Sequence, residues 1–151
     1  MNNIFYALLL LSAGCLSAQT PLLVVPTGHS SPILSFACSA DGKYFVTLGN
    51  DDLIKFWNDE GKEIRTIRTP VARYTALNLS PDNRRMLASS NYDSHEAYVL
   101  DMDSGKELFT LVGHTSGVRC TAWSPDGKTI ATGAYDAKVI LWNARTGALL
   151  H

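Results

Sequence analysis

The chain has 151 residues, of which 46% are apolar and 18% charged, and its formal net charge is -1. That balance supports a packed core of single-domain size and argues against a disordered chain. It also lacks the basic field that draws nucleic acid or an anionic membrane surface, so neither is expected as a partner.

The chain opens on an unbroken apolar run, Ile4 to Leu11, followed by the small residues Ser12, Ala13 and Gly14. The run is too short to span a bilayer, which takes about 20 apolar residues. It reads as the apolar core of a signal peptide over 1–18, with Leu16-Ser17-Ala18 as the cleavage site and Gln19 as the mature N-terminus. The segment before it has no Lys or Arg. A lipoprotein signal with the lipid on Cys15 is the rival reading. The mature chain is therefore expected to be exported, periplasmic or extracellular; the alternative is a lipid-anchored outer-membrane protein. No membrane span is expected.

Beyond the signal, residues 19–151 repeat. Gly28-His29 recurs as Gly113-His114, Phe56-Trp57-Asn58 as Leu141-Trp142-Asn143, and Ser39-Ala40-Asp41-Gly42 as Ser124-Pro125-Asp126-Gly127, all at one separation. A middle copy carries Ser80-Pro81-Asp82-Asn83 and Val99-Leu100-Asp101 near the halfway points. The period is about 42 residues, the length of one supersecondary unit.

In chain order, Leu22 to Val25 reads as a lone strand. The first copy then gives strands at 33–38, 43–48, 53–57 and 62–67. The second gives 74–79, 84–89, 96–100 and 107–111, and the third 118–123, 128–133 and 137–142, with a fourth strand begun near His151. Asp41-Gly42, Asp82-Asn83 and Asp126-Gly127 each lie between a pair of apolar runs, as tight hairpin turns do. Gly61, Gly105 and Gly147 mark a second turn in each copy. No helical apolar period appears after the signal. The expected fold is all-β, in three four-stranded antiparallel units spanning about 33–67, 74–111 and 118–151.

These residues resemble the WD-repeat (WD40) family of β-propellers over residues 21–151. The third copy carries nearly the whole signature: Gly113-His114, Ser124-Pro125-Asp126-Gly127, Asp136 and Trp142-Asn143. The first has Gly28-His29, Asp41-Gly42, Asp51 and Trp57-Asn58. Both end in Asn where the family usually has Asp. The resemblance implies partial propeller blades in which a His, a hydroxyl residue, an Asp and a Trp form a hydrogen-bonded tetrad. These are His29, Thr47, Asp51 and Trp57 in the first blade, and His114, Thr132, Asp136 and Trp142 in the third. The second copy departs from the pattern: it has no Gly-His, and Leu100 stands for Trp. Ser89 and Asp93 are taken as its remaining tetrad members, so blade 2 is expected to be the loosest, with a longer turn around Ser94-His95-Glu96.

His29 beside Asp51 and His114 beside Asp136 could suggest catalysis. A pair repeated at one position of two copies argues for scaffold instead, because a catalytic constellation occurs once, with a nucleophile in reach. No catalytic residue is assigned. Asp93, His95 and Glu96 read as a solvated turn, and Asp101 to Ser104 lacks the pattern of a calcium loop. No metal and no cofactor are expected. Cys38 and Cys120 are expected to be buried thiols, separated by the second blade and so beyond disulfide range.

Residues beside the turn Asp and at the start of inner strands are the candidates for partner contact: Asn50, Arg73, Tyr92, Arg119 and Tyr135. Three blades cannot close a ring, since propellers use about 4 to 8. The chain is thus expected to be the N-terminal portion of a longer, bacterial-looking protein, or to self-associate through open blade edges. The leading function is a non-catalytic protein-interaction scaffold whose partner the sequence does not name. The alternatives are the recognition region of an effector enzyme, for example one with a caspase-like peptidase domain, and a propeller that binds glycan or a small ligand.

Overall fold

The computed structural model describes residues 28–69, 74–90 and 94–151. Residues 1–18, where the signal peptide and Cys15 are expected, and the strand expected at Leu22 to Val25 lie outside the described residues. Every described element is a β-strand. Blade 1 consists of β1 (Ile33–Cys38), β2 (Tyr44–Gly49), β3 (Leu53–Asn58) and β4 (Glu63–Arg68). Blade 2 consists of β5 (Tyr74–Leu79), β6 (Arg85–Ser90), β7 (Glu96–Asp101) and β8 (Glu107–Val112). Blade 3 has β9 (Val118–Trp123), β10 (Thr129–Ala134) and β11 (Val139–Asn143).

Each blade is an antiparallel meander, β1-β2-β3-β4, β5-β6-β7-β8 and β9-β10-β11. In blade 3 the chain after β11 begins an outer strand. Leu149 bridges Trp142, the Leu150 N–H donates to the Leu141 carbonyl at 2.8 Å, and the Leu141 N–H donates to the His151 carbonyl at 2.8 Å.

The turns explain why short polar stretches separate these strands. Between the first two strands of each blade, Gly42, Asn83 and Gly127 take φ of 70°, 57° and 68°. This is left-handed backbone that favours Gly and tolerates Asn. The serine three residues earlier closes the turn: the carbonyls of Ser39, Ser80 and Ser124 accept the N–H of Gly42, Asn83 and Gly127 at 3.0, 2.9 and 2.9 Å. Their hydroxyls accept the first N–H of the next strand, at 3.1 Å from Tyr44, 2.9 Å from Arg85 and 2.9 Å from Thr129. After the third strand, Asn58 and Asn143 stand where the family usually has Asp. The Asn143 Oδ1 accepts from the N–H of Arg145 and Thr146, as the Asp101 Oδ1 accepts from that of Ser104. An amide oxygen does the carboxylate's work here, which is why the change is tolerated.

Strand alternation sends successive side chains to opposite faces of a blade. One core lies between blades 1 and 2, with Val46, Leu48, Ile54 and Phe56 against Leu77, Met86, Ala88 and Leu100. A second lies between blades 2 and 3, with Leu87, Ala97, Val99 and Leu111 against Val118, Ile130, Ile140 and Trp142. Each blade thus has a leading face toward its predecessor and a trailing face toward its successor.

Two arginines lock these junctions. Arg65 stacks 4.0 Å from the Phe56 ring centroid and donates to the carbonyls of Met102 and Asp103 at 2.7 and 3.0 Å. Arg85 lies 4.8 Å from the Trp123 ring centroid and donates to the Ala144 carbonyl. The inner strands are also linked: the Asn78 amide donates to the Thr121 carbonyl and hydroxyl at 2.8 and 2.9 Å.

Two expectations need correction. The described strands of blade 2 are not the loosest packed. Covered on both faces, its Leu87, Ala88, Ala97, Val99 and Leu100 are all fully buried. Packing follows the number of neighbours, and the missing signature residues do not change that. The two cysteines are not buried thiols either: Cys38 is half-buried and Cys120 is exposed. Cys120 pairs with Gly133 on the trailing face of blade 3, which no described residue covers. No disulfide joins the two.

Candidate functional site: two hydrogen-bonded tetrads and the mouth beside them

The tetrads of blades 1 and 3 assemble in the same way. In blade 1 the β2–β3 turn brings Asp51 to His29, whose Nδ1 lies 2.9 Å from the Asp51 Oδ1. The His29 Nε2 lies 2.8 Å from the Thr47 Oγ1 on β2, which also accepts from the Trp57 Nε1–H on β3 at 2.7 Å. In blade 3 the corresponding distances are 2.9 Å for His114 to Asp136, 2.8 Å for His114 to Thr132 and 2.8 Å for Trp142 to Thr132.

Donor and acceptor chemistry fixes the protons along this chain. Indole only donates, so the Thr oxygen accepts from it; in a neutral imidazole with its hydrogen on Nδ1, the His Nε2 accepts the Thr proton. A carboxylate only accepts, so the His Nδ1 carries its hydrogen. The Asp also caps the loop that enters the blade, accepting the Ser30 N–H at 2.8 Å in blade 1 and the Thr115 N–H at 3.0 Å in blade 3.

Glycine precedes each His for a steric reason. A Cβ at Gly28 would lie 2.2 Å from the Trp57 ring, and one at Gly113 would lie 2.8 Å from the Trp142 ring.

Electrostatics follow from this geometry. The Thr115 N–H, working against burial and joined by His114 and the Lys138 N–H, holds the Asp136 carboxyl down at about 2. At Asp51 burial works upward, but the hydrogen bonds from His29 and the Ser30 N–H outweigh it and lower the value. Each tetrad hydroxyl is engaged on both sides by Trp and His, so neither is offered to a substrate.

The two tetrads differ in cover. Trp142 faces blade 2 and is 2% exposed. Trp57 sits on the leading face of blade 1 and is only half-buried. Beside it Lys55 takes the register position that Ile140 holds in blade 3, and its Nζ lies 2.7 Å from the Glu63 Oε2. The sequence shows that exchange but carries no signal for the ion pair it allows. Nor were the two junction arginines, which follow no repeat position.

Blade 2 corrects the tetrad assignment. Strand register pairs Thr47 with Lys55 and Thr132 with Ile140, and in blade 2 the corresponding pair is Ala88 with Tyr98. Ala88 therefore holds the hydroxyl position. Ser89 pairs with Ala97 and points to the opposite face, where its Oγ finds no partner among the described residues. The slip is one residue, and one residue reverses the face. Asp93 lies outside the described residues.

Of the candidate contact residues, Asn50 and Tyr135 occupy equivalent places after β2 and β10, and both are exposed, Tyr135 by 65%. Arg119 is exposed at the start of the inner strand β9. Arg73 and Tyr92 lie outside the described residues. Among those residues, no group of His, Cys, Asp and Glu is arranged to hold a metal.

The strand order, the turns and the two tetrads define a β-propeller repeat protein. The profile of the WD40 family, described as WD domain, G-beta repeat, matches residues 20–58 and 105–143. The chain belongs to that family. It is 30% identical over 115 residues to a ribosome biogenesis protein WDR12 homolog of Drosophila persimilis, covering 72% of this chain and 27% of that protein. It is 34% identical over 101 residues to the target of rapamycin complex subunit wat1 of Schizosaccharomyces pombe, covering 66% of this chain and 32% of that protein. The structure of U3-55K superposes with a TM-score of 0.72 at 19% identity, over 82% of this chain and 39% of that one. The chain thus spans well under half the length of these proteins.

Proposed function

We propose that the chain contributes a portion of a non-catalytic protein-interaction scaffold. The carrying observation is that every His, Asp and hydroxyl of the two tetrads is consumed in one repeated network. The exposed Asn50 and Tyr135 stand directly beside those tetrads. A rigid turn with a large, stiff side chain at its tip suits a contact residue, because little entropy is lost on binding. Asn50, Tyr135 and Arg119, with Arg73 and Tyr92, form the proposed contact set. Two relatives support this reading by name, one as a target of rapamycin complex subunit and one as an anaphase-promoting complex subunit. The opening segment supports export to the periplasm or the outside of the cell.

The test is affinity recovery of the full gene product from its own cells, comparing wild type with Asn50→Ala/Tyr135→Ala. Loss of a specific co-purifying protein, with the melting temperature unchanged, supports the reading. An identical set of recovered proteins contradicts it. Sequencing the mature N-terminus tests export: processing before Gln19 is expected, and an intact Met1 overturns it.

A further inference from the structure

The described strands of blade 2 are packed without the Thr and Trp of the tetrad, and their register shows how. Four positions on the leading face can be compared between blades 2 and 3. Tyr74 stands where blade 3 has Val118, Ala88 where it has Thr132, Tyr98 where it has Ile140 and Leu100 where it has Trp142. All eight side chains are buried, none more than 7% exposed. Two positions shrink in blade 2, Thr to Ala and Trp to Leu. The other two grow, Val to Tyr and Ile to Tyr. Total volume is conserved while the large groups change place, the kind of exchange that a close-packed core tolerates best. The two tyrosine rings meet at a centroid distance of 5.3 Å.

The Tyr98 hydroxyl lies 2.8 Å from the Glu96 Oε2 and 2.9 Å from the Ser94 Oγ. With one proton to give, it donates to the carboxylate and accepts from the serine. Ser94 stands just before β7 and Glu96 opens it. The Tyr74 hydroxyl has no such partner among the described residues.

We propose that blade 2 replaces the Thr–Trp half of the tetrad by this compensating exchange, with Tyr98 fixing the entry to β7 through Ser94 and Glu96. The two tyrosines then have separate tasks: Tyr74 fills volume, and Tyr98 fills volume and positions that entry. Nothing in this depends on the contact set proposed above.

The first test measures urea unfolding of the full chain for Tyr98→Ile, Ala88→Thr and the double variant, two positions paired directly across β6 and β7. Each single variant breaks the volume match, and the pair restores it. The double variant should be more stable than the product of the single effects by about tenfold in the unfolding constant. Effects that multiply to within about threefold would overturn the exchange. Milder variants cover the case in which these fail to fold. Tyr98→Phe keeps the ring, and should speed amide hydrogen exchange at residues 94–97 severalfold without altering blades 1 and 3. Tyr74→Phe should leave those amides unchanged. Equal exchange in wild type and Tyr98→Phe would overturn the positioning role.

Discussion

Blades 1 and 3 carry the same four tetrad residues with hydrogen bonds matching to within about 0.1 Å, yet one indole is sealed and the other half-open. The His–Asp half does not distinguish them. The side chains of His29 and Asp51 are 3% and 6% exposed, those of His114 and Asp136 1% and 5%. The difference lies in the Trp–Thr half, which blade 2 covers for blade 3 and no described residue covers for blade 1. A blade makes its own hydrogen bonds, but its neighbour supplies the burial that gives them weight.

That contrast can be broken in several ways. The largest effect is expected at the indoles. Trp142→Ala should cost about 3–5 kcal/mol, as removal of a buried aromatic does, and Trp57→Ala about half as much. Equilibrium unfolding of both variants in the same chain checks this. Thr132→Val should cost about 2 kcal/mol, because it leaves a buried indole N–H and a buried imidazole nitrogen without a partner. Thr47→Val should cost about 1 kcal/mol, since water can reach its partners. Thermal melts of the two variants give the comparison.

Acid acts on the His–Asp half that the two blades share. The Asp136 carboxyl is lowered in the folded state, so its contribution is full above the ordinary carboxylate range near pH 4. It fades as pH falls through about 2. Stability measured from pH 5 to pH 2 should therefore decline, and Asp136→Asn should flatten that decline. The smallest effect concerns backbone. Ala137 and Asp52 occupy equivalent positions at φ of 62° and 59°. Ala137→Gly should relieve the strain and stabilise by about 0.5 kcal/mol, net of the added flexibility of glycine. A small rise in melting temperature is the expected reading.

Much of the fold was legible in the sequence. The turn serines, the Asp-Gly pairs and the Trp positions fix strand borders to within a residue or two, because each has a backbone requirement that few residues meet. The tetrads were legible for the same reason. Blade 2 was not. Its hydroxyl position is held by Ala88, and matching on residue type put Ser89 there, one residue and one face away. Only strand pairing resolves that register. The junction arginines were hidden because Arg65 comes from an outer strand and Arg85 from a second strand, so no repeat position announces them. The cysteines were misjudged because strand position says which face a side chain joins, and says nothing of whether a neighbouring blade covers that face.

Cover, and not the hydrogen bond itself, separates the two tetrads. Hydrogen exchange at the indole N–H groups tests it most directly, since both donate to a threonine oxygen at nearly the same distance. The Trp142 N–H should exchange at least about tenfold more slowly than that of Trp57 in nitrogen-labelled protein. Equal protection of the two would contradict the account.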